Sequence, residues 1–456
     1  MKVLIKGAGD LATGIAVRLY NSGHQILMTE IPEPMTVRRY VAFSRAVYEN
    51  EADVEGVHSE LASSYDEAQN IIANGNIAVM IDPKAAVKNE FKPDVIVDAI
   101  LAKYNTGTTI EDAPFVLGIG PGFTAGEDCH CIIETKRGHT LGTLIWKGTA
   151  IPNTGVPGNV GGYTLERLIK ASADGIMEPV AHISDQVKEG QIVAYTGGEP
   201  VYALMSGVVR GMLQDDVQVT KGLKIGDIDA RCEVSHCFTI SDKARAIGGG
   251  ALEAVTQFER MQKKYAVVVL AAGGAKRFGS NKLLAYVSGE QIYERMLKKL
   301  KGFTGFERYI VTGYEEIRDA AEAVGVQSIE NKDVEKGISL SLSLGLKKCL
   351  ENNPDIQGVL FTVCDQPNLT FTTMWNLMRQ AMLHPGKVIC ASHGQTLGNP
   401  VLWDRKYFSE LLELGGDVGG KSLLSKHYNE VVRVDTQRIE LHDIDRREEL
   451  HDFVAL

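Results

Sequence analysis

The sequence predicts an α/β fold in three parts, and three observations support this. Residues 1–165 alternate between apolar, strand-like runs and helical patterns. Residues 170–250 contain short alternating segments with a glycine every eight to twelve residues, which is typical of an all-β region. A fully apolar run at 266–270 then opens a second α/β pattern. Because strand–helix alternation implies a parallel sheet with covered faces, we expect two α/β regions with a small β-rich region between them.

The length and composition agree with several folded domains. The chain has 456 residues, of which 44% are hydrophobic and 23% charged, and about 150 residues per domain suggests about three domains. The net charge of −10 argues against general nucleic-acid binding, which requires a basic face. No apolar run approaches the roughly 18 residues of a membrane span, and residues 1–7 lack the pattern of a signal peptide. We therefore expect a cytoplasmic protein without a membrane partner, whose seven cysteines are thiols.

The predicted domains cover residues 1–165, 166–257 and 264–456. The first has strand candidates at 3–5, 25–29, 77–81, 95–98 and 115–118, and a charged helical connector at 251–264 precedes the third. Within the middle domain, residues 187–194 are loosely repeated at 219–228. This internal repeat suggests two similar hairpins that close one small sandwich.

A glycine-rich turn follows the first strand. The segment GAGDLATG at 7–14 fits the pattern GxGxxA and opens a helix, and Glu30 ends the next strand 21 residues after Gly9. In Rossmann-like domains such glycines admit a diphosphate and such an acid binds a ribose diol. The sequence therefore predicts a nucleotide or dinucleotide site formed by Gly7, Gly9, Asp10, Ala12 and Glu30. The alternative is a Rossmann-like domain whose crevice is empty or repurposed.

A second glycine loop follows the apolar run at 266–270. It reads LAAGGAKRFGSNKLL at 270–284 and precedes a helical pattern. Small residues let main-chain amides approach phosphate oxygens closely, and Arg277 and Lys282 add cations suited to a triphosphate. The spacing of a P-loop is absent. The predicted nucleotide-binding residues are Leu270, Ala271, Ala272, Gly273, Gly274 and Lys282.

Asp365 is the candidate metal ligand of this third domain. It follows an apolar strand, and open α/β sheets bind ligands at the carboxyl ends of their strands. Mg²⁺ is typically held by one or two carboxylates together with phosphate oxygens. We therefore predict that Asp365, Arg277 and Lys282 are the catalytic residues of a phosphoryl-type transfer.

Five further segments occur in the order of a known family. They are GISLSLSLG (337–345), VCDQP (363–367), GNPVL (398–402), LGGDVGGK (414–421) and HDID (442–445). Together with 270–284 they resemble the motifs of the MobA-like nucleotidyltransferases over essentially all of 264–456. The resemblance implies a Rossmann-like α/β/α sandwich, a nucleotide contact at Ser339, a metal or acceptor contact at Asp417 and an acceptor contact at Asn399. The serine usual in the first motif is Ala275 here.

The same resemblance implies the substrates. In that family the form Leu-Ala-Ala-Gly, present at 270–273, accompanies CTP, whereas Leu-Ala-Gly-Gly accompanies GTP. It thus implies Mg²⁺-dependent transfer of a cytidylyl group from CTP to molybdopterin. The alternatives are guanylyl transfer from GTP, nucleotidyl transfer to a sugar or alcohol, and a non-catalytic chaperone that binds the finished cofactor.

The first half of the chain resembles another family. The segments that carry the resemblance are TEIPEP (29–34), VRR (37–39), VDAILAK (97–103), GIGPGF (118–123), ETKRGH (134–139) and ISDKARAIGGG (240–250). They resemble the YqeB-type accessory proteins of selenium-dependent molybdenum hydroxylases, which implies an apo-molybdenum hydroxylase as partner. The middle region resembles a barrel-sandwich (biotinyl/lipoyl-like) domain. Lys103, Arg137 and His139 are candidate cations of an anion-handling set of loops.

Two groups of cysteine and histidine residues raise the question of a metal or selenium site. Cys129, His130 and Cys131 are adjacent, and Cys232 precedes His236 and Cys237, but neither set has the usual zinc spacing. We expect these cysteines to act as small hydrophobic residues.

Overall fold

The computed structural model describes residues 1–153, 162–273, 278, 281–416 and 419–451. The chain divides into two compact units, Met1–Val255 and Thr256–Leu456. The predicted fold class, with two α/β regions and a small all-β region, is confirmed. The finer boundaries at 165, 257 and 264 stay predictions.

A nine-stranded sheet forms the centre of the first unit. Its strands, and those of a small two-stranded sheet, are β1 (Lys2–Lys6), β2 (Gln25–Glu30), β3 (Glu51–Val54), β4 (Val57–Ala62), β5 (Ile77–Ile81), β6 (Val95–Asp98), β7 (Phe115–Ile119), β8 (Thr124–Ala125), β9 (Cys131–Ile133), β10 (Leu144–Ile145) and β11 (Gly148–Thr149). The order is β10-β9-β7-β6-β1-β2-β5-β4-β3, and β8 pairs with β11. All five predicted strands are present. Their continuous apolar runs suit parallel strands that are buried on both faces.

The strand order creates a switch point beside β1. The chain proceeds from β1 to β2 and β5 on one side, whereas β6 and β7 lie on the other. The helices of this region are α1 (Asp10–Tyr20), α2 (Ala46–Glu49), α3 (Tyr65–Ala73) and α4 (Lys88–Phe91). Since α1 begins directly after β1, its N-terminus lies at the carboxyl edge of the sheet, where such folds bind ligands.

The β-rich region of the first unit consists of two four-stranded sheets. Its strands are β12 (Leu168–Lys170), β13 (Gly175–Pro179), β14 (Gln186–Val187), β15 (Ile192–Thr196), β16 (Glu199–Tyr202), β17 (Gly207–Met212), β18 (Gln218–Val219) and β19 (Lys224–Asp229). The orders are β12-β19-β17-β14 and β16-β15-β13-β18. Both sheets contribute to one buried cluster that includes Met177, Val193, Val208 and Ile225, so the small sandwich is confirmed.

The repeat within this sandwich has a different meaning from the predicted one. The segment 187–194 leads from β14 to β15, and 219–228 leads from β18 to β19. In each case the two strands belong to different sheets and pair with other strands. The two repeats are therefore crossovers between the sheets, and the prediction of two hairpins is wrong. A glycine turn between short strands is compatible with either connection, and only the pairing partners distinguish them.

Helix α5 (Asp242–Met261) contains the division between the units and begins earlier than the predicted connector at 251–264. Its first half packs against α1 without intervening side chains. A Cβ on Gly14 would lie 2.8 Å from the Cβ of Ala244, and one on Gly248 would lie 2.6 Å from the Gly14 carbonyl oxygen. The glycines of 240–250 thus allow two helix backbones to approach closely.

The second unit is built on a seven-stranded mixed sheet. Its strands, with those of a separate two-stranded ribbon, are β20 (Tyr265–Leu270), β21 (Tyr286–Val287), β22 (Glu290–Gln291), β23 (Glu307–Thr312), β24 (Gln327–Glu330), β25 (Gly358–Val363), β26 (Val388–His393), β27 (Thr396–Asp404) and β28 (Val431–Asp435). The order is β24-β23-β20-β25-β27-β26-β28, and β21 pairs with β22. Strand β27 alone runs antiparallel to its neighbours β25 and β26.

The helices of the second unit are α6 (Ile292–Lys301), α7 (Glu315–Ala323), α8 (Ile338–Asn352), α9 (Phe371–Leu383), α10 (Phe408–Leu412) and α11 (Lys421–Lys426). The chain leaves β20 towards β23 and β24, and later returns to the other side of β20 with β25. The pair β20 and β25 is parallel, so both strands end at the same edge. This switch point is where the second unit is expected to bind a ligand.

Candidate functional site

The second unit has a cavity at the carboxyl ends of β20 and β25. Asp365 lies two residues beyond β25, and residues 271–273 follow β20 directly. The cavity has a volume of about 260 Å³. It is lined by Leu270, Ala271, Ala272, Gly273, Lys282, Leu283, Val334, Gly337, Ile338, Ser341, Val363 and Asp365. The described part of the predicted glycine loop, Lys282 and Asp365 therefore share one cavity.

Lys282 and Asp365 form an ion pair in this cavity. Lys282 begins a short 3₁₀ turn, Lys282–Leu284, and its Nζ contacts the Asp365 carboxylate. The same Nζ donates to the Ile444 carbonyl oxygen at 2.9 Å and lies 3.7 Å from Oδ1 of Asp445. In addition, the Ile444 amide donates to the Asp365 carbonyl oxygen at 3.0 Å. Residues 83 positions apart are thus held together, and the segment around Ile444 completes the site.

A buried carboxylate anchors this segment. Glu440 is 2% exposed and accepts hydrogen bonds from the hydroxyls of Thr370, Thr373 and Thr436 at 2.8, 2.6 and 2.7 Å. Burial alone would raise the pKa of Glu440, but the threonine hydrogen bonds outweigh burial and lower the pKa. Because a buried charge is stable only when it is hydrogen-bonded, these contacts fix the chain just before residues 441–445.

Asp443 lies close enough to Asp365 for their carboxyl groups to interact. Partial desolvation, together with the negative charge of Asp365, raises the pKa of Asp443 to about 6, although the side chain remains in contact with solvent. The electrostatic coupling of Asp443 to Asp365 makes this edge favourable for a cation.

We expect Asp443→Asn to stabilise the metal-free protein above pH 6. The pKa of Asp443 is raised on folding, so folding binds a proton between the ordinary pKa and about 6, and stability falls as pH rises through that window. Asparagine is neutral, so it removes the cost of ionising a partly desolvated carboxyl group beside Asp365. In EDTA, the melting temperature of the variant should exceed that of the parent at pH 7.5, and the difference should shrink towards pH 4.5. A difference that is constant with pH would show that Asp443 does not titrate in this way.

The opposite wall of the cavity comes from the start of α8. Gly337 precedes this helix with φ of +83°, a conformation that favours glycine. Ser341 lines the cavity, and its Oγ accepts a hydrogen bond from Asn331 Nδ2 at 2.9 Å. The predicted Ser339 instead donates to the Gly416 carbonyl oxygen at 2.6 Å and does not line the cavity. Ser341 and Ile338 both line the cavity, in agreement with helical geometry, because residues three apart lie on the same face of a helix.

Several predicted residues cannot be placed in this site. Gly274, Arg277 and Asp417 lie outside the described residues. Asn399 lies within β27 and is not among the residues that line the cavity. Its role in acceptor binding stays a prediction, as does that of Ser339 in nucleotide binding.

The first unit has a crevice at its own switch point. Gly7 follows β1 with φ of +91°, and a Cβ there would lie 3.0 Å from the Ala99 carbonyl oxygen, beyond the end of β6. Gly9 is the N-cap of α1. The crevice has a volume of about 260 Å³, and all five predicted residues line it: Gly7, Gly9, Asp10, Ala12 and Glu30.

Glu30 is held against the glycine turn. Its Oε2 accepts a hydrogen bond from the Ala8 amide at 2.8 Å, and its Oε1 accepts one from the Ile31 amide at 2.9 Å. Burial raises the pKa of Glu30, and these two hydrogen bonds oppose the rise. A carboxylate fixed at the end of β2 in this way can accept hydrogen bonds from a ribose diol.

The cysteines show no sign of a reactive or metal-binding site. All seven are free, and only Cys232 is exposed. Burial raises the pKa of Cys129 to about 12, and the neighbouring His130 Nδ1 accepts a hydrogen bond from the Val116 amide at 3.0 Å. Among the described residues, no three histidine, cysteine, aspartate or glutamate side chains cluster in a way that would hold a metal by themselves. None of the helices in the described ranges is long and apolar enough to cross a membrane.

Comparison with protein families finds a match within the second unit. Residues 267–431 match the model of the MobA-like NTP transferase domain. A separate comparison finds the protein YqeB of Escherichia coli (strain K12), which is 50% identical over 253 residues. That match covers 56% of this chain and 47% of YqeB, so the chain spans about half the length of this relative. Both resemblances that the sequence predicts are thus found.

Solved structures resemble part of the chain more distantly. Rv0371c from Mycobacterium tuberculosis H37Rv is 23% identical with a TM-score of 0.36, over 42% of this chain and 96% of its own. A 4-diphosphocytidyl-2C-methyl-D-erythritol synthase from Anaerococcus prevotii is 14% identical with a TM-score of 0.34, over 42% and 96%. The molybdopterin-guanine dinucleotide biosynthesis protein A from Archaeoglobus fulgidus is 14% identical with a TM-score of 0.32, over 41% and 95%.

Proposed function

Since residues 267–431 form a MobA-like NTP transferase domain, we propose that this protein is a Mg²⁺-dependent molybdopterin cytidylyltransferase. It transfers CMP from CTP to molybdopterin and releases pyrophosphate. The observation that carries the proposal is the convergence of the loop at 270–273, Lys282 and Asp365 on one cavity at the switch point.

The transfer needs little covalent chemistry from the protein. An oxygen of the acceptor's phosphate attacks the α-phosphorus of CTP, and the bond from that phosphorus to the bridging oxygen of pyrophosphate breaks. Negative charge accumulates on the non-bridging oxygens and on the leaving group, so catalysis depends on positioned charges. The Ala271 amide donates to the Val311 carbonyl oxygen, so Ala272 and Gly273 are the small residues of this loop that leave room for the phosphates. Lys282, whose side chain is 13% exposed, supplies a partly desolvated cation in the same cavity.

The residues at the cavity fit a magnesium ion. Asp365 offers a hard carboxylate ligand, and Asp443 adds a carboxyl group close enough to interact electrostatically with Asp365. Few protein carboxylates are needed, because Mg²⁺ completes its shell with waters and phosphate oxygens. When bound, the ion neutralises charge on the triphosphate and on the transition state. Asp365 is the proposed ligand, and Asp417 remains a candidate for the second.

The choice of CTP rests on resemblance. The form Leu-Ala-Ala-Gly at 270–273 accompanies CTP in the MobA-like family, and these residues line the cavity together with Val334 and Ser341. Molybdopterin as acceptor rests on the family match and on the likeness of the first half of the chain to YqeB-type proteins. An apo-molybdenum hydroxylase, of the selenium-dependent kind, is then the proposed recipient of the product.

Incubation of the full chain with molybdopterin, Mg²⁺ and one NTP at a time tests this proposal. We expect pyrophosphate release with CTP and at least about tenfold less with GTP, the discrimination that one or two base contacts supply. Faster release with GTP would establish guanylyl transfer instead. If no NTP yields pyrophosphate although the chain is folded and binds molybdopterin, the protein is a non-catalytic chaperone. Release with sugar phosphates but not molybdopterin would point to a different acceptor.

We further propose that the crevice of the first unit binds a nucleotide or dinucleotide through the turn at Gly7 and Gly9. Glu30→Gln should weaken binding of such a ligand by about tenfold, since a neutral amide accepts weaker hydrogen bonds from the ribose diol than a carboxylate. Equilibrium titration with NAD, ATP and CTP measures this. Suppose that a ligand protects residues 7–12 from hydrogen exchange. If its dissociation constant is the same for Glu30→Gln and for the parent protein, Glu30 does not contribute to the site.

A further inference from the structure

The first unit contains a second cavity, much larger than the crevice at Gly7. It has a volume of about 720 Å³ and extends from the start of α1 to strands β17 and β19 of the small sandwich. Gly9, Asp10 and Leu11 line both this cavity and the crevice. The two spaces therefore adjoin at the glycine turn, and one elongated ligand can occupy both.

The walls of the larger cavity are strongly basic. In the part of the chain that the structure describes, eight arginine and lysine side chains line it, against two aspartates, Asp10 and Asp227. The chain as a whole has a net charge of −10, so this concentration of positive charge is local. We call this cavity the basic chamber and define it by Arg38, Lys136, Arg210, Lys224 and Lys243. A concave, basic and partly desolvated space attracts small polyanions.

The acidic residues nearby neutralise only part of the chamber. Asp227 is fully buried and contacts Arg167, Arg210 and Lys224. In addition, Asp229 contacts Arg210, and Asp242 pairs with Arg137. The described residues offer Lys136 and Lys243 no ion pair. Arginine and lysine side chains from separate segments thus face one cavity that is lined by fewer carboxylates than cations.

Two buried arginines have donors without acceptors. Arg38 and Arg167 are each 9% exposed, and the Nε of each lacks a hydrogen-bond partner among the described residues. Arg38 is held in place, because its Nη2 donates to the carbonyl oxygens of His236 and Thr239, both at 2.9 Å. Burial also lowers the pKa of Arg38, Lys224 and Lys243, the usual effect when a cation is desolvated without sufficient counter-charge. An anionic ligand in the chamber would supply counter-charge to these desolvated cations and so stabilise this wall.

We propose that the crevice and the basic chamber together bind one ligand, a nucleoside diphosphate derivative whose second half carries a further anionic group. Glu30 receives the ribose, the turn at Gly7 and Gly9 receives the diphosphate, and the basic chamber receives the distal anion. The product proposed for the second unit, a nucleoside joined by a diphosphate to a pterin that bears thiolates, belongs to this class. That last identification rests on the function proposed for the second unit, whereas the ligand class rests on the crevice and the basic chamber.

Two matched probes test the ligand class on the full chain in EDTA, where metal-dependent transfer cannot occur. UDP-glucuronate and UDP-glucose share the nucleoside diphosphate and differ in one carboxylate on the distal half. We expect UDP-glucuronate to bind at least about tenfold more tightly in calorimetry, the factor that one charge-assisted hydrogen bond contributes. Hydrogen exchange should show protection at residues 7–12 and 241–245.

Variants that remove charges test whether the basic chamber causes the preference for UDP-glucuronate. The triple variant Lys103→Gln, Lys136→Gln and Lys243→Gln should abolish the preference for UDP-glucuronate. The matched control Lys170→Gln, Lys188→Gln and Lys221→Gln removes three exposed charges away from the chamber and should retain it. Glu30→Gln should weaken both probes equally.

Equal affinity of the parent protein for the two probes would overturn the proposal, as would a preference that survives in the chamber variant. Failure of both probes to bind, or protection confined to 267–431, would overturn it as well. Since no transfer is measured, a negative result with CTP and molybdopterin leaves this test unaffected.

Discussion

Replacing Asp365 by asparagine should reduce pyrophosphate release by about a thousandfold, the upper end of what removal of one preorganised electrostatic contact costs. Asparagine keeps the size of the side chain but removes the charge that the proposed metal ion requires. It also leaves Lys282 without the carboxylate that now faces it. The rate should fall mainly in kcat, because the lost interaction is strongest in the transition state.

Asp445→Asn is the matched control for this substitution. Asp445 also lies near Lys282, with 3.7 Å between its Oδ1 and Nζ, but its side chain is 54% exposed. Contacts of exposed charges are weak, so we expect the rate to change by less than about threefold. Steady-state kinetics with CTP and molybdopterin at several Mg²⁺ concentrations measure both variants. If Asp365→Asn retains more than about a tenth of the parent rate with an unchanged Mg²⁺ dependence, Asp365 does not hold the metal.

The largest effect on stability is expected at the three consecutive glycines of α5. A Cβ on Gly250 would lie 2.1 Å from the Gly142 carbonyl oxygen, and one on Gly248 would lie 2.6 Å from that of Gly14. A Cβ on Gly249 would have no atom within 4 Å. Because the clashing atoms are backbone, the helix must shift, and we expect Gly250→Ala to destabilise the first unit by about 3 kcal/mol.

Gly249→Ala provides an internal control with the same chemical change. Alanine is favoured over glycine inside a helix, so this variant should be stabilised by about 0.5–1 kcal/mol. Chemical denaturation, with hydrogen exchange of α1 and the first half of α5 as a local readout, measures both variants. Equal effects of alanine at 249 and 250 would mean that helix propensity, and not close approach to Gly142, determines the role of these glycines.

Some residues of the two sites could be predicted from short-range sequence patterns. The crevice at Gly7 and Glu30 could be predicted because a glycine turn, a helix start and an acid at the next strand end are separated by short, regular spacings. Asp365 could be placed at a strand end for the same reason. Ser341 lines the cavity and Ser339 of the same helix does not, a difference that depends on how α8 is oriented against the sheet.

By itself, the sequence determined the fold class, five strands of the first α/β region, the two strands beside the second cavity and the positions of the two glycine loops, because periodicity and turn chemistry act over a few residues. Only the tertiary structure decided which distant residues meet. The order of the strands brings Asp365 to Lys282, the fold adds Asp443 beside them, and the small sandwich contributes Arg210 and Lys224 to the basic chamber. Contacts of this kind depend on strand order and on packing across the whole unit. Short sequence patterns do not contain that information.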